Sequence, residues 1–302
     1  MHFYCERCKK EYPVATHSYA CECGGLFHLY QTEMDEDSPH MAITLGETMT
    51  PLLPLSIDGL RFYLKMEDRQ PTGSFKDRGA KRLIGELSYL GIERVVIDSS
   101  GNAGAAVAAY AAAAGIACRV YVPDDISAER VKQITAYGAD VVRVPNGRMN
   151  AGSVARAELG SDYYASHVYN PLFADGVGGM AHEIYEQLGG AVPEYIFVPV
   201  GNGSLLLGLY HGFAKLGRLP HFVAVQSTKC APVVEAFHYL PETPRKNTIA
   251  ESIRVSAPPR LDELCTVLQR SRGDAIAVED SEILKAAKQL NRRGLYAELT
   301  AA

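Results

Sequence analysis

Residues 94–123 read RVVIDSSGNAGAAVAAYAAAAGIACRVYVP, and three signals follow one another in them. The β-branched run Arg94–Asp98 predicts a strand, Ser99–Asn102 a polar turn softened by glycine, and Ala103–Ala114 a buried helix of the strongest helix former, small enough to pack closely on a sheet. The apolar run ending at Pro123 closes a strand–helix–strand unit, which implies a parallel sheet. The same rhythm continues outward through SAERVKQITAYG and DVVRVP. It resumes in YIFVPVG, LLLGLYHGFAKLG and HFVAVQS, with two more helical patterns at Leu261–Ser271 and Ser281–Arg293. The class is α/β.

Composition bounds the function. The chain has 302 residues, is 47% hydrophobic and carries a formal net charge of −5. Phosphate neutralisation needs clustered Lys and Arg, which are absent, so no nucleic-acid partner is expected. No apolar run approaches a membrane span, and MHFYCERCKK has neither the charged start nor the apolar core of a secretion signal, so a cytoplasmic protein without membrane contact is expected. Of seven cysteines, four stand at Cys5, Cys8, Cys21 and Cys23. Two close thiolate pairs on tight turns suit a tetrahedral zinc, and a segment this short has too little apolar mass to fold without a staple. Its role would be structural, because four cysteines leave no position open for substrate. Cys118, Cys230 and Cys265 read as small core hydrophobes.

Three strand-to-helix or loop-to-helix turns carry the chemistry. In QPTGSFKDRGAKRLIGEL (Gln70–Leu87), Lys76 follows a Gly-Ser-Phe turn where a helix begins, and Asp77 and Arg78 are expected to form a structural pair supporting that turn. A lysine acts as a nucleophile when its environment lowers its pKa or a carbonyl captures it as a Schiff base. The turn Ser99-Ser100-Gly101-Asn102 opens the alanine helix, whose free N–H groups suit a carboxylate or phosphate; Asn102 is a donor to a ring oxygen or simply an N-cap. Gly201-Asn202-Gly203-Ser204, after YIFVP, can form a nest of N–H groups around a phosphate. Gly201, Gly203 and Gly208 also fit part of a dinucleotide fingerprint, but no acidic residue lies in LPHFVAVQS, where that fingerprint needs one. His167, His182 and His211 are not at metal-ligand spacing, Tyr163, Tyr164 and Tyr169 are expected to fill an interdomain surface, and Lys65 reads as a strand-edge charge.

PTGSFKDRGA, SSGNAG, VPVGNG and the cysteine-bearing N-terminus, in this order, resemble threonine synthase and its relatives among the fold-type-II pyridoxal-phosphate (PLP) enzymes. The resemblance implies two parallel-sheet α/β domains with an N-terminal zinc-ribbon-like element and the cofactor in the cleft between the domains. The implied boundaries are 1–32 for the zinc element, 33–45 for a linker, 46–84 with 176–302 for the large PLP-binding domain, and 85–175 for the small domain. Lys76 would hold the cofactor as a Schiff base and later shuttle protons. Asn102 would bond its 3′ oxygen, Gly201–Ser204 its phosphate, and Thr300, in AELTAA, its pyridine nitrogen. Ser99, Ser100 and Gly101 are expected at the substrate. A homodimer acting on a small amino acid is implied.

The implied reaction is elimination or replacement on that amino acid, with O-phosphohomoserine plus water giving threonine plus phosphate as the best single case. HVYNPLFADGVGGM (His167–Met180) departs from the family's usual stretch. The arginine used on the substrate phosphate aligns with Phe173, a serine with Val168 and a lysine with Gly178, and a buried phosphate without such partners is costly. A serine/threonine dehydratase or β-replacement synthase is therefore the alternative. A non-catalytic PLP-binding or zinc-mediated interaction protein is a third reading, against which the retention of Lys76 and Asn102 counts.

Overall fold

A computed structural model describes residues 1–31, 43–145 and 147–302. Most of the expected linker 33–45, residues 33–42, lies outside the described residues. The chain forms two compact units, Met1–Met49 with Glu67–Val177, and Thr50–Met66 with Gly178–Ala302.

The first unit opens with β1 (His2–Cys5), β2 (Glu11–Tyr12) and β3 (Phe27–Tyr30), an antiparallel sheet in the order β2-β1-β3. Phe3 and Phe27 stack inside it with ring centroids 5.8 Å apart, nearly all the apolar mass this small element has. The main sheet of the unit has the order β8-β7-β6-β9. It is built from β6 (Arg94–Ile97), β7 (Ala117–Pro123), β8 (Asp140–Val144) and β9 (Tyr163–Tyr164), all parallel. The quoted stretch is thus β6, helix α2 (Asn102–Ala114) and β7, and residues Ala103–Ala111 of α2 are buried throughout. Gly115 ends α2 in the left-handed conformation (φ 69°) that a helix C-terminus favours.

Helix α1 (Lys76–Tyr89) packs along α2. The remaining helices of this unit are α3 (Ala128–Ala136), α4 (Gly147–Ala157) and the start of α5 (Pro171–Gln187). Phe173, Tyr110 and Tyr121 are among its largest fully buried side chains. Burying a side chain the size of Phe contributes roughly 1.5–3 kcal/mol.

The second unit contains the hairpin β4 (Leu52–Ile57) and β5 (Leu60–Lys65), and a parallel sheet β10 (Tyr195–Pro199), β11 (His221–Ser227) and β12 (Asp274–Val278) in that order. Its helices, after the end of α5, are α6 (Ser204–Lys215), α7 (Pro232–Phe237), α8 (Leu261–Arg270) and α9 (Asp280–Asn291). Lys65 is not a plain edge charge. Its Nζ is nearly buried and donates to Glu183 at 2.6 Å, to Gln187 at 2.9 Å and to the Thr50 carbonyl at 2.8 Å, since an ammonium out of water needs all its donors used.

The sequence expectation groups residues 46–84 with 176–302. In the compact units, residues 67–84 lie with the first unit, where α1 packs on α2 and buries Leu83, Ile84 and Leu87. No helix among the described residues is long and apolar enough to cross a membrane.

Candidate active site

Lys76 is the first residue of α1 and half-buried, its Nζ 4.1 Å from the centre of the Phe75 ring. The turn before it is fixed by its own side chains. Thr72 donates its N–H to Asp77 at 2.7 Å and its hydroxyl to the same carboxylate, while the Lys76 N–H donates to the Ser74 hydroxyl at 3.3 Å. Burial pushes the Asp77 carboxyl above its ordinary value, against the pull of the Thr72 donors. Arg78 grips Glu67 with two donors, at 2.7 and 2.9 Å. Asp77 and Arg78 therefore both support the lysine turn, but through separate partners and not as a pair, because adjacent helical residues do not face each other.

Asn102 is the first residue of α2, exposed, and does not cap it. The N-cap position is Gly101 (φ −109°, ψ −154°), with no side-chain capping bond. Ser99 is buried and its hydroxyl accepts the Gly101 N–H at 3.4 Å. The Ser99 carbonyl lies against the first turn of α2: a Cβ on Gly104 would stand 1.9 Å from it, so any larger residue there would displace the turn. Lys76 and Asn102 thus begin two helices that pack on each other.

Sequence reasoning missed Glu47, which ties those helices together. Its carboxylate accepts from Lys81 of α1 at 2.8 Å, from the buried Tyr110 hydroxyl of α2, from Thr44 at 2.7 Å and from the Leu45 N–H at 2.9 Å. Burial opposes the charge, but these donors outweigh it and bring its pKa from 4.5 to about 2. A carboxyl depressed on folding contributes stability above its unfolded pKa and loses it as pH falls through the folded one. The stability lost in Glu47→Gln is therefore expected to be largest at neutral pH and to shrink as pH drops from 4.5 towards 2. Urea unfolding of both proteins across that range measures it; a gap independent of pH would refute the charge as its source.

In the second unit, Gly201–Ser204 joins β10 to α6. Gly203 has φ 89°, and a Cβ on it would meet Leu264 at 2.3 Å; one on Gly201 would meet the Ile253 Cα at 3.1 Å. Ser204 is buried at the start of α6, and the N-cap residue Gly203 makes no side-chain capping bond there. Thr300 lies in the turn closed by the Ala301 N–H to the Glu298 carbonyl at 2.9 Å. Its neighbours Leu299 and Ala302 pack on the cluster of Ala250, Ile253 and Ile283. The loop and the Thr300 turn accordingly share one support, the 249–255 segment. That segment is held by Asp280, also missed from sequence, which accepts from Thr248 at 2.6 Å, Lys229 at 2.7 Å, the Ile249 N–H at 3.3 Å and Ser227 at 3.2 Å.

The four N-terminal cysteines meet. Cys5 and Cys23 sulfurs are 3.6 Å apart, Cys8 and Cys21 3.4 Å, and all four lie within 4.8 Å of one another. A tetrahedron of Zn–S bonds near 2.3 Å has edges of about 3.8 Å, so the set is of the right size. Among the described residues it is the only such grouping; His167, His182 and His211 form none.

Residues 43–302 match the family of pyridoxal-phosphate dependent enzymes. The chain belongs to that family. The enzyme is 31% identical over 338 residues to the threonine synthase of Methanocaldococcus jannaschii, covering 97% of this chain and 83% of that one. It is likewise 31% identical over 302 residues to the threonine synthase of Synechocystis sp., covering 95% and 78%. The solved threonine deaminase of T.th. superposes with a TM-score of 0.74 at 29% identity, covering 84% of both chains. This pyridoxal-phosphate dependent enzyme is thus a lyase of the threonine synthase family with the fold-type-II α/β architecture.

Proposed function

We propose that Lys76 is the residue that binds and serves the cofactor, and that the enzyme carries out threonine synthase-like elimination and replacement on an amino acid. The observation that carries this reading is the placement of Lys76 as the first residue of α1, beside the Phe75 ring and at the head of a turn fixed by Asp77 and Ser74. Groups within each unit suit separate parts of the cofactor. The glycine-lined Gly201–Ser204 loop, with Asn202, opens on uncapped helix N–H groups suited to a phosphate, and Asn102, relieved of capping, has its amide for a ring oxygen. The Thr300 hydroxyl would face the ring nitrogen, and as a neutral group it leaves that nitrogen less protonated than a carboxylate would.

Bound there, pyridoxal phosphate supplies an electron sink for the pair left at the substrate α-carbon. Lys76 would hold the cofactor through its Nζ, and the same amine, once free, would take the substrate α-proton and return it later in the reaction. Ser99, Ser100 and Gly101 hold the substrate carboxylate at the N-terminus of α2. With O-phosphohomoserine, phosphate would leave Cγ, a proton would be moved to Cγ, and water would supply the hydroxyl at Cβ, which gives threonine.

The whole-chain likeness to threonine synthases supports O-phosphohomoserine as substrate. A second reading, a serine/threonine dehydratase or β-replacement synthase acting on a substrate without phosphate, has its own support. Phe173 is fully buried against Gly79, and Gly178 lies against α6, where a Cβ would meet the Gly208 carbonyl at 3.2 Å. Three cations further along α1 are committed to carboxylates: Arg78 to Glu67, Lys81 to Glu47, Arg82 to Glu86 and Asp175. A panel of amino acids, with release of phosphate, ammonia or keto acid followed, decides between them. Phosphate from O-phosphohomoserine at an ordinary enzymatic rate defeats the second reading; ammonia from serine or threonine alone defeats the first.

For the cysteine element we propose structural zinc on Cys5, Cys8, Cys21 and Cys23. Purified protein is expected to carry about one zinc per chain, falling to background in the double variant Cys5→Ser, Cys8→Ser. Metal retained by that variant would refute the site. A homodimer in the cytoplasm fits this biosynthetic reading.

A further inference from the structure

We propose that Asp98 is the positioning residue for the Ser99–Asn102 turn, and that Tyr19 of the cysteine element holds it in place, so that metal on the four cysteines governs the order of that turn. The functional consequence rests on the cofactor reading above. Asp98 directly precedes Ser99 at the end of β6, and its Oδ1 accepts the Tyr164 hydroxyl at 2.6 Å. A Cβ on Gly152 of α4 would lie 2.6 Å from Asp98 Oδ2 and 3.3 Å from Arg156 Nη1, so only glycine lets both charged groups pack over that helix. Burial, and then the Asp98 charge, push the Tyr164 phenol up, which keeps it a neutral donor to the carboxylate. Ser99 passes this placement on, since its carbonyl is the surface on which Gly104 and the start of α2 rest.

The other end of the cluster belongs to the cysteine element. Tyr19, two residues before Cys21, meets Tyr164 at 5.8 Å and Tyr169 at 5.3 Å between ring centroids, both edge-on. The Arg156 guanidinium lies 5.6 Å from the centre of the Tyr19 ring and the same distance from that of Tyr169. Alongside, Tyr163 donates to the Val14 carbonyl at 2.9 Å. These tyrosines, expected to fill an interdomain surface, instead fix the loop between the two cysteine pairs onto β9 within the first unit. A loop with so little core keeps its shape only while its ends are tied, and the ties are the cysteine pairs. Losing the metal therefore frees Tyr19, then Arg156, and with it the arrangement around Asp98.

Hydrogen exchange on the full-length protein, read by mass spectrometry over Gly101–Ala105, tests this without requiring turnover. Removing metal with 1,10-phenanthroline, or introducing Tyr19→Ala or Asp98→Asn, is expected to speed exchange there about tenfold, while Tyr19→Phe, which keeps the ring, leaves it unchanged. Chelating Tyr19→Ala is expected to add less than about twofold, because both changes break the same link. Pyridoxal phosphate titrated into apoprotein and followed by visible absorbance is expected to bind Asp98→Asn about tenfold more weakly. Faster exchange confined to residues 12–20, or fully additive effects, would overturn the proposal. So would protein whose exchange at Gly101–Ala105 is indifferent to both chelator and added Zn²⁺. Failure of the unaltered protein to take up pyridoxal phosphate would sink the cofactor reading instead, and the exchange result would still decide this one.

Discussion

Lys76→Ala is expected to lower turnover by at least about 10³-fold and to remove the visible absorbance of the purified protein, with thermal stability nearly unchanged. The split follows from where the residue sits. Lys76 is half-buried against the Phe75 ring at the very start of α1, ahead of Leu83, Ile84 and Leu87, which fill the core beneath the helix, so its loss leaves that core intact. A ring-face contact of this kind is worth about 0.5–1 kcal/mol, small beside the loss of the only proton carrier proposed at the α-carbon. Lys81→Ala is the control on the same helix. It breaks the pair with Glu47 and is expected to cost stability while the colour remains, since Lys81 acts on the frame and not on the reacting atoms. Absorbance that survives in Lys76→Ala would end the assignment of this lysine, and colour lost equally in both variants would show that helix order alone controls binding.

The parallel-sheet rhythm was legible because each unit of it is local: a β-branched run, a glycine-bearing turn and a helix period fit within about thirty residues. The three turns were legible for the same reason. Glu47 was not, because its donors Lys81 and Tyr110 lie 34 and 63 positions away, and a single glutamate carries no period. Asp280 escaped likewise, its partners Thr248 and Lys229 being 32 and 51 residues distant. For the cysteines, spacing gave the four members of the set. Their close contacts, Cys5 with Cys23 and Cys8 with Cys21, form where the chain between β1 and β3 folds back and the two strands pair antiparallel. Asp77 and Arg78 looked like partners because they are adjacent, and helix geometry sent one to Thr72 and the other to Glu67. Polar hubs of this sort are written in the fold, whereas Lys76, Asn102 and the Gly201–Ser204 loop stand at helix starts that sequence marks plainly.

Gly203→Ala is expected to weaken pyridoxal-phosphate binding by roughly 100-fold while most of the fold survives, and two separate costs add to give it. At φ 89° an alanine Cβ is strained by about 1–2 kcal/mol, and overpacking against Leu264 at 2.3 Å adds about 1–3 kcal/mol. Both costs are relieved most easily by moving the loop itself, because Leu264 is fully buried in α8 and cannot swing into solvent. Displacing the loop turns the first N–H groups of α6 away from the phosphate they are proposed to hold. Leu264→Ala in the same chain separates the two contributions. It removes the clash and is expected to restore part of the affinity, while the backbone strain at Gly203 persists and the cavity costs about 2–5 kcal/mol of stability. Affinity would then rise as stability falls, a combination that general loosening of the second unit does not produce. Titration of apoprotein alongside urea unfolding reads both quantities, and affinity in Gly203→Ala equal to that of the unaltered protein would remove the loop from the phosphate site.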